Sequence, residues 1–327
     1  MHLKVLLALC ALVVASLMAA SGAVAATTCT FATSGSTTTL EGDCVTDETI
    51  GVPDGVTLDG NSHTIVAQDP PGDHFRGAVV ASEGDWAHVT GLTVTANELV
   101  NTCDGGPDRL RGIIFDGAGG AITRSTVIGI NQGPSGCQEG NAIEVRNAPF
   151  DATGENPAEV TIAHNVIDDY QKTGIIANGT VDAKIVHNSI GDSATQENLA
   201  ANSVQLGFGA LGSVEHNQIE GNQWLGASNW GATAVLLYLA ADGATVSKNN
   251  IGGNSDLGIY AKGSGSTIDN NRVFDKGPDG LQGDFGIASA GENEVTNNKV
   301  RGFDTPYWGV SGGKNKSIPG PQSGPAF

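Results

Sequence analysis

"IAHNVI" at Ile162–Ile167 returns as "IVHNSI" at Ile185–Ile190, "VEHNQI" at Val214–Ile219, "VSKNNI" at Val246–Ile251, "IDNNRV" at Ile268–Val273 and "VTNNKV" at Val295–Val300. Each copy reads apolar, two variable positions, Asn, one variable position, apolar. The aligned residues are Asn165, Asn188, Asn217, Asn249, Asn271 and Asn298, spaced 23, 29, 32, 22 and 27 apart. Recurrence on that scale marks a solenoid, and the shortest spacing is the bare coil.

A second word lies between the copies: "GIIF" at Gly112, "AIEV" at Ala142, "GIIA" at Gly174, "SVQL" at Ser203, "AVLLY" at Ala234, "GIYA" at Gly258, "GIAS" at Gly286 and "WGV" at Trp308. Period-2 alternation, β-branched residues and 47 glycines predict short strands joined by tight turns. About 22 residues per coil suits three strands and three turns, so the expected fold is all-β, a right-handed parallel β-helix. The Asn column then falls on a corner that needs a left-handed residue, which Asn tolerates. Stacked at the strand spacing, the amides are expected to form a ladder from coil to coil.

The chain has 327 residues. Residues 1–26 read as an export signal: a charged start, the run "VLLALCALVVASLMAA" and a small-residue end. Residues 27–50 are expected to cap the solenoid, 51–312 to form it, and 313–327, rich in Gly, Pro and Ser, to be a flexible tail. With no second long apolar run, no membrane span is expected and the protein reads as a secreted or periplasmic monomer. Four cysteines remain after the signal, and the local pairs Cys29–Cys44 and Cys103–Cys137 are the expected disulfides.

The chain carries 16 Lys and Arg against 35 Asp and Glu; without Lys4 the count is 15 against 35, a net charge of −20. That excess argues against nucleic acid as a partner. A free polyuronate would be repelled unless Ca²⁺ bridged the two sets of carboxylates, and a neutral polysaccharide would not.

The "GI" strands and Asn corners resemble the right-handed parallel β-helix repeat superfamily, which holds pectate-lyase-like enzymes and NosD-like copper-associated proteins. The resemblance covers roughly Gly51–Gly312. It implies extracellular carbohydrate binding, with a polysaccharide lyase, hydrolase or epimerase, or a metal-handling or structural surface protein, as alternatives. The polygalacturonase-like words are missing, since "NTCD" at Asn101 and "DD" at Asp168 stand without G-H-G or R-I-K.

Three groups of residues are candidates. Asp169 and Asp192 are expected on adjacent coils, where they could share a proton or hold Ca²⁺; with Asp168, Lys172 and Tyr170 on the same corner they form the catalytic candidate. His164, His187 and His216 precede the aligned Asn on successive coils and form a candidate Zn²⁺ or Cu²⁺ site. Trp224, Trp230 and Tyr238, in the longest late insertion, are candidate stacking platforms for sugar rings. The excursion holding Arg109 and Arg111, tied by Cys103–Cys137, is expected to wall a groove along the "GI" strands.

Overall fold

The structure, a computed structural model, describes residues 27–151, 153–226, 231–276 and 284–318. The chain winds through three parallel sheets in constant order. Sheets A and B have 11 strands each and sheet C has 10. One coil shows the path: Val181–Val186 lies in sheet A, Ser189–Ile190 in sheet B and Asn202–Gly207 in sheet C. Strands in register over so many coils leave almost no free edge, which suits a chain whose backbone groups must all be paired.

Each sheet sends one unbroken apolar column inward. In sheet A, Val89, Ile122, Ile162, Ile185, Val214, Val246, Ile268 and Val295 stack as register partners. In sheet B the column is Val94, Val127, Ile167, Ile190, Ile219, Ile251, Val273 and Val300. Sheet C contributes Ile113, Ile143, Ile175, Val204, Val235, Ile259 and Ile287. All are buried in one continuous core, and burying each such side chain stabilises by about 1.5–3 kcal/mol. The first apolar letter of the repeated word is thus the sheet A residue and the last the sheet B residue. Glycines start many sheet C strands because a side chain has no room: a Cβ on Gly174 would lie 2.6 Å from the Ser203 carbonyl oxygen.

The corner between sheets A and B corrects one expectation. The left-handed residue is not the aligned Asn but the one before it: His164, His187, His216, Lys248, Asn270 and Asn297 have φ between +55° and +59°. That twist turns the following Asn inward, where it is buried. Asn188 Oδ1 accepts the backbone N–H of Asn165 at 2.9 Å and the Asn165 side-chain N–H at 3.0 Å. Asn188 Nδ2 donates to the Ile162 carbonyl at 2.9 Å and to Asn217 Oδ1 at 3.0 Å. The pattern repeats to Asn298 and ends on Asn315, which the repeated word does not reach.

The boundaries differ from those expected. Parallel pairing begins at Thr37–Leu40, Cys44–Thr46 and Ile50–Pro53, each of which pairs with its counterpart one coil on. Only Phe31–Ser34, antiparallel on Thr37–Leu40, closes the end, beside the Cys29–Cys44 disulfide. At the other end Lys316–Ser317 adds a sheet B strand to Lys299–Arg301, so the solenoid runs through the start of the supposed tail. Backbone pairing rather than composition sets these limits, because Thr- and Lys-rich segments can extend a ladder that already exists. Residues 1–26 and 319–327 lie outside the described residues.

Candidate functional site

Sheet A carries a groove of about 1000 Å³. Two outward columns form it. One holds the register pairs Trp86–Gly119 and Glu159–Asp182, and the next runs His88, Ala121, Thr161, Lys184, Ser213, each residue of it the register partner of the one before. Gly119, Gly120 and Ala121 leave the floor nearly bare. Gly120 is required there, since its φ is +126° and a Cβ would lie 1.8 Å from the Ala87 carbonyl oxygen.

Trp86 forms one wall. Its backbone N–H donates to Asp54 at 2.9 Å, and its ring, 43% exposed, stands edge-on to His88 with centroids 6.2 Å apart. Burial and the nearby Arg124 guanidinium hold His88 below the ordinary imidazole range, so it is neutral at pH 7. Asn156, Pro157 and Glu159 make the opposite wall, with Asp182 and Lys184 beyond. Glu159 and Asp182 are direct register partners, so their carboxylates hang from Cα atoms roughly 4.8 Å apart. An exposed indole, a bare floor and polar walls can stack a sugar ring and bond its hydroxyls.

The sequence candidates are distributed otherwise. Asp169 and Asp192 do fall on adjacent coils, with the Asp169 N–H donating to the Asp192 carbonyl at 3.1 Å. Both are exposed, as is Asp168. Lys172 does not join them: its Nζ donates to the Ala200 carbonyl at 2.5 Å, and desolvation lowers its pKa to about 8. No ion pair among the described residues links it to these carboxylates. Tyr170 is no surface contact. It is 0% exposed, donates to the Gly191 carbonyl at 3.2 Å and accepts from Asn222 Nδ2 at 3.0 Å. The left-handed twist at Asp169, φ +48°, turns the next side chain into the core, as the His–Asn corner does.

The three histidines stack outward. His164 and His187 have ring centroids 5.2 Å apart at 15°, and His187 and His216 lie 5.3 Å apart at 38°. Rings at that spacing put the outer two roughly 10 Å from each other, too far for three nitrogens to share one ion at about 2 Å each. Tyr238 ends the Thr233–Tyr238 strand, and Trp224 lies in the excursion before it, nine residues ahead of Thr233. Trp224 Nε1 donates to the Glu197 carbonyl at 3.1 Å, so its ring is tied to the excursion of the preceding coil. Tyr238 lies under Lys262, whose Nζ is 4.6 Å from the ring centroid, and beside Phe208. Trp230 lies outside the described residues.

Residues 155–316 match the family described as right handed beta helix region. The chain is a right-handed β-helix protein. No curated protein matches it. In this β-helix protein both expected disulfides are present, Cys29–Cys44 and Cys103–Cys137. No helix among the described residues is long and apolar enough to cross a membrane.

The excursion closed by Cys103–Cys137 is held tightly. Glu139, 1% exposed, accepts the backbone N–H groups of Asp104 at 2.9 Å and Leu110 at 2.8 Å. Arg111 is buried, pairs with Glu144 at 2.5 Å and donates to the carbonyls of Gly106, Pro107 and Arg109. These groups satisfy one another, which makes this wall of sheet C scaffold.

Sequence reasoning missed Trp86 and the bare floor. The signal existed in "EGDWAHVT" and "GAGGAIT", whose outward positions become neighbours only once the two coils are set in register.

Proposed function

We propose that this is an exported β-helix protein that binds a neutral extracellular polysaccharide in the sheet A groove. One observation carries the reading: Trp86 stands exposed beside a floor stripped to Gly119, Gly120 and Ala121, facing Glu159, Asp182 and Lys184. A ring laid on that floor stacks on the indole, and its hydroxyls reach the carboxylates and the ammonium group. Three acids, Asp85, Glu159 and Asp182, against one Lys disfavour an anionic chain in this groove. Two disulfides and the signal-like residues 1–26 support export. The reading is of binding rather than turnover, because Lys172 engages a backbone carbonyl and not the corner carboxylates.

Calorimetric titration of soluble β-glucan, xylan and galactomannan tests it, with reducing-end assays run with and without Ca²⁺. At least one neutral glycan is expected to bind, and Trp86→Ala to weaken it tenfold or more, as loss of a stacked aromatic should. Absence of binding across the panel, or equal binding by Trp86→Ala, overturns the proposal.

A further inference from the structure

Sheet B changes character along its length. Its first outward column runs Thr64, Thr93, Thr126, Val166, Ser189, Gln218 and Asn250, all uncharged, and then Arg272, Lys299 and Lys316. The last three are register partners on successive coils, so three cations stand in line at roughly 4.8 Å intervals. Arg301 joins them from the neighbouring column, its guanidinium 5.6 Å from the Phe274 ring centroid and its Nε buried with no partner. Arg272, Lys299, Arg301 and the 43% exposed Ile318 line a hollow of about 250 Å³.

Like charges directly opposite one another on a sheet destabilise it. Here they stand together in a protein with more than twice as many acids as bases. No ion pair among the described residues involves Arg272, Lys276, Lys299, Arg301 or Lys316. Of the described acids of the same stretch, Glu294 is on sheet A, Asp275 and Asp284 are buried and accept backbone N–H groups of Ser255 and Asp304, and the exposed Asp304 lies three residues past the end of the Lys299–Arg301 strand. In the two outward columns of sheet B the nearest acid, Glu220, is two coils from Arg272. At roughly 8–10 Å of screening length, the acids of the other faces do not cancel this column.

We infer that the cationic column Arg272–Lys299–Lys316, with Arg301, binds an anionic glycan whose carboxylate or sulfate groups repeat along the solenoid axis. The column supplies one charge per coil. It continues into Asn250 and Gln218, joined by a 3.2 Å hydrogen bond, which offer amides to the hydroxyls of the same chain. A single strand of nucleic acid would look for exposed aromatic faces between the cations, and Phe274, the ring beside Arg301, is buried. A membrane surface would need a broader apolar edge than Ile318. This site is independent of the sheet A groove, lying on another face with opposite charge.

The test is titration of the full protein with dextran sulfate and with a polyuronate, unsubstituted dextran serving as the neutral control. One or both polyanions are expected to bind and to weaken as salt rises, while dextran stays silent at this column. Binding of only one tells sulfate from carboxylate. Lys299→Glu/Lys316→Glu should lower affinity tenfold or more, and Lys248→Glu, a single charge reversal on the A–B corner, should leave it unchanged. If the double variant does not fold, Arg272→Gln alone should weaken binding about threefold, since it removes one charge-assisted contact. The inference is overturned by absence of binding at low salt, by unchanged affinity in folded variants, or by equal affinity for single-stranded DNA or phosphatidylglycerol vesicles. Neutral-glycan binding lost in Trp86→Ala but kept in Lys299→Glu/Lys316→Glu separates the two proposals.

Discussion

The A–B and B–C corners of each coil face the same problem and solve it differently. Both must turn the chain and satisfy the backbone groups that the turn takes out of the sheets. The A–B corner uses two residues, one left-handed and one buried Asn, and repeats that solution in six consecutive coils. The B–C corner opens into excursions of different lengths, pinned by different buried or half-buried groups. Glu139 holds Asp104 and Leu110; Asp69 holds Phe75 at 2.8 Å and Val100 at 2.7 Å; Asn222 holds Ser193 at 2.9 Å. A periodic corner makes the scaffold, and an aperiodic one lets loops vary without disturbing it.

Four measurements would break or sharpen that contrast. The largest effect is expected from Asn217→Ala, which leaves the Asn188 backbone and side-chain N–H groups without their acceptor at 2.8 and 3.0 Å. Two buried donors left unpaired cost about 1–3 kcal/mol each, so denaturant unfolding should show a loss of about 3 kcal/mol or more. A loss below about 1 kcal/mol would show that the ladder is incidental.

Glu139→Gln removes one of two acceptor oxygens and should cost about 2 kcal/mol, as hydrogen bonds to charged groups do. Hydrogen exchange is the better readout, because the protection lost should be confined to residues near Asp104 and Leu110. Protection lost along the whole solenoid would contradict the local role given to this corner.

His187→Val tests the outer half of the A–B corner. A β-branched residue at φ +58° should cost about 1–2 kcal/mol, whereas His187→Gly should be close to neutral, relief of strain being offset by a freer unfolded chain. Equal effects of Val and Gly would mean that the stacked imidazoles, not the backbone, set the preference.

The last test reads a slope. Lys172 loses its proton near pH 8 in the folded protein, while an unfolded lysine keeps it to 10.5. The unfolded state therefore binds more protons between those values, and stability from this residue is present above pH 10.5 and lost as pH falls through 8. Lys172→Met should remove that rise. An unaltered pH profile would show that Lys172 remains solvated.

How much of this was legible depended on whether a feature lay within one coil or between two. Ile185, Asn188 and Ile190 share six residues, and their alternation and turn chemistry announced strand, corner and strand. The cationic column was readable in the same word, as the letter after the aligned Asn: Val166, Ser189, Gln218, Asn250, Arg272, Lys299. Only Lys316 and Asn315 fall outside the word. The corner acids could be placed on adjacent coils by counting, but whether Lys172 turns toward them could not, because the Ala200 carbonyl that captures it comes from the next excursion. Tyr170 was misplaced for a similar reason. A tyrosine beside Asp169 looks solvent-facing until the left-handed twist before it is known.

Sequence alone determined the solenoid, its coil length, the inward apolar columns and the aligned Asn positions, because periodic burial and turn chemistry act over a few residues. Tertiary structure decided which outward residues meet. Trp86 faces Gly119, 33 residues on, and Lys299 meets Lys316, 17 residues on. The lengths of the intervening excursions carry no register of their own, and the partners are set only when the inward columns of successive coils lock together.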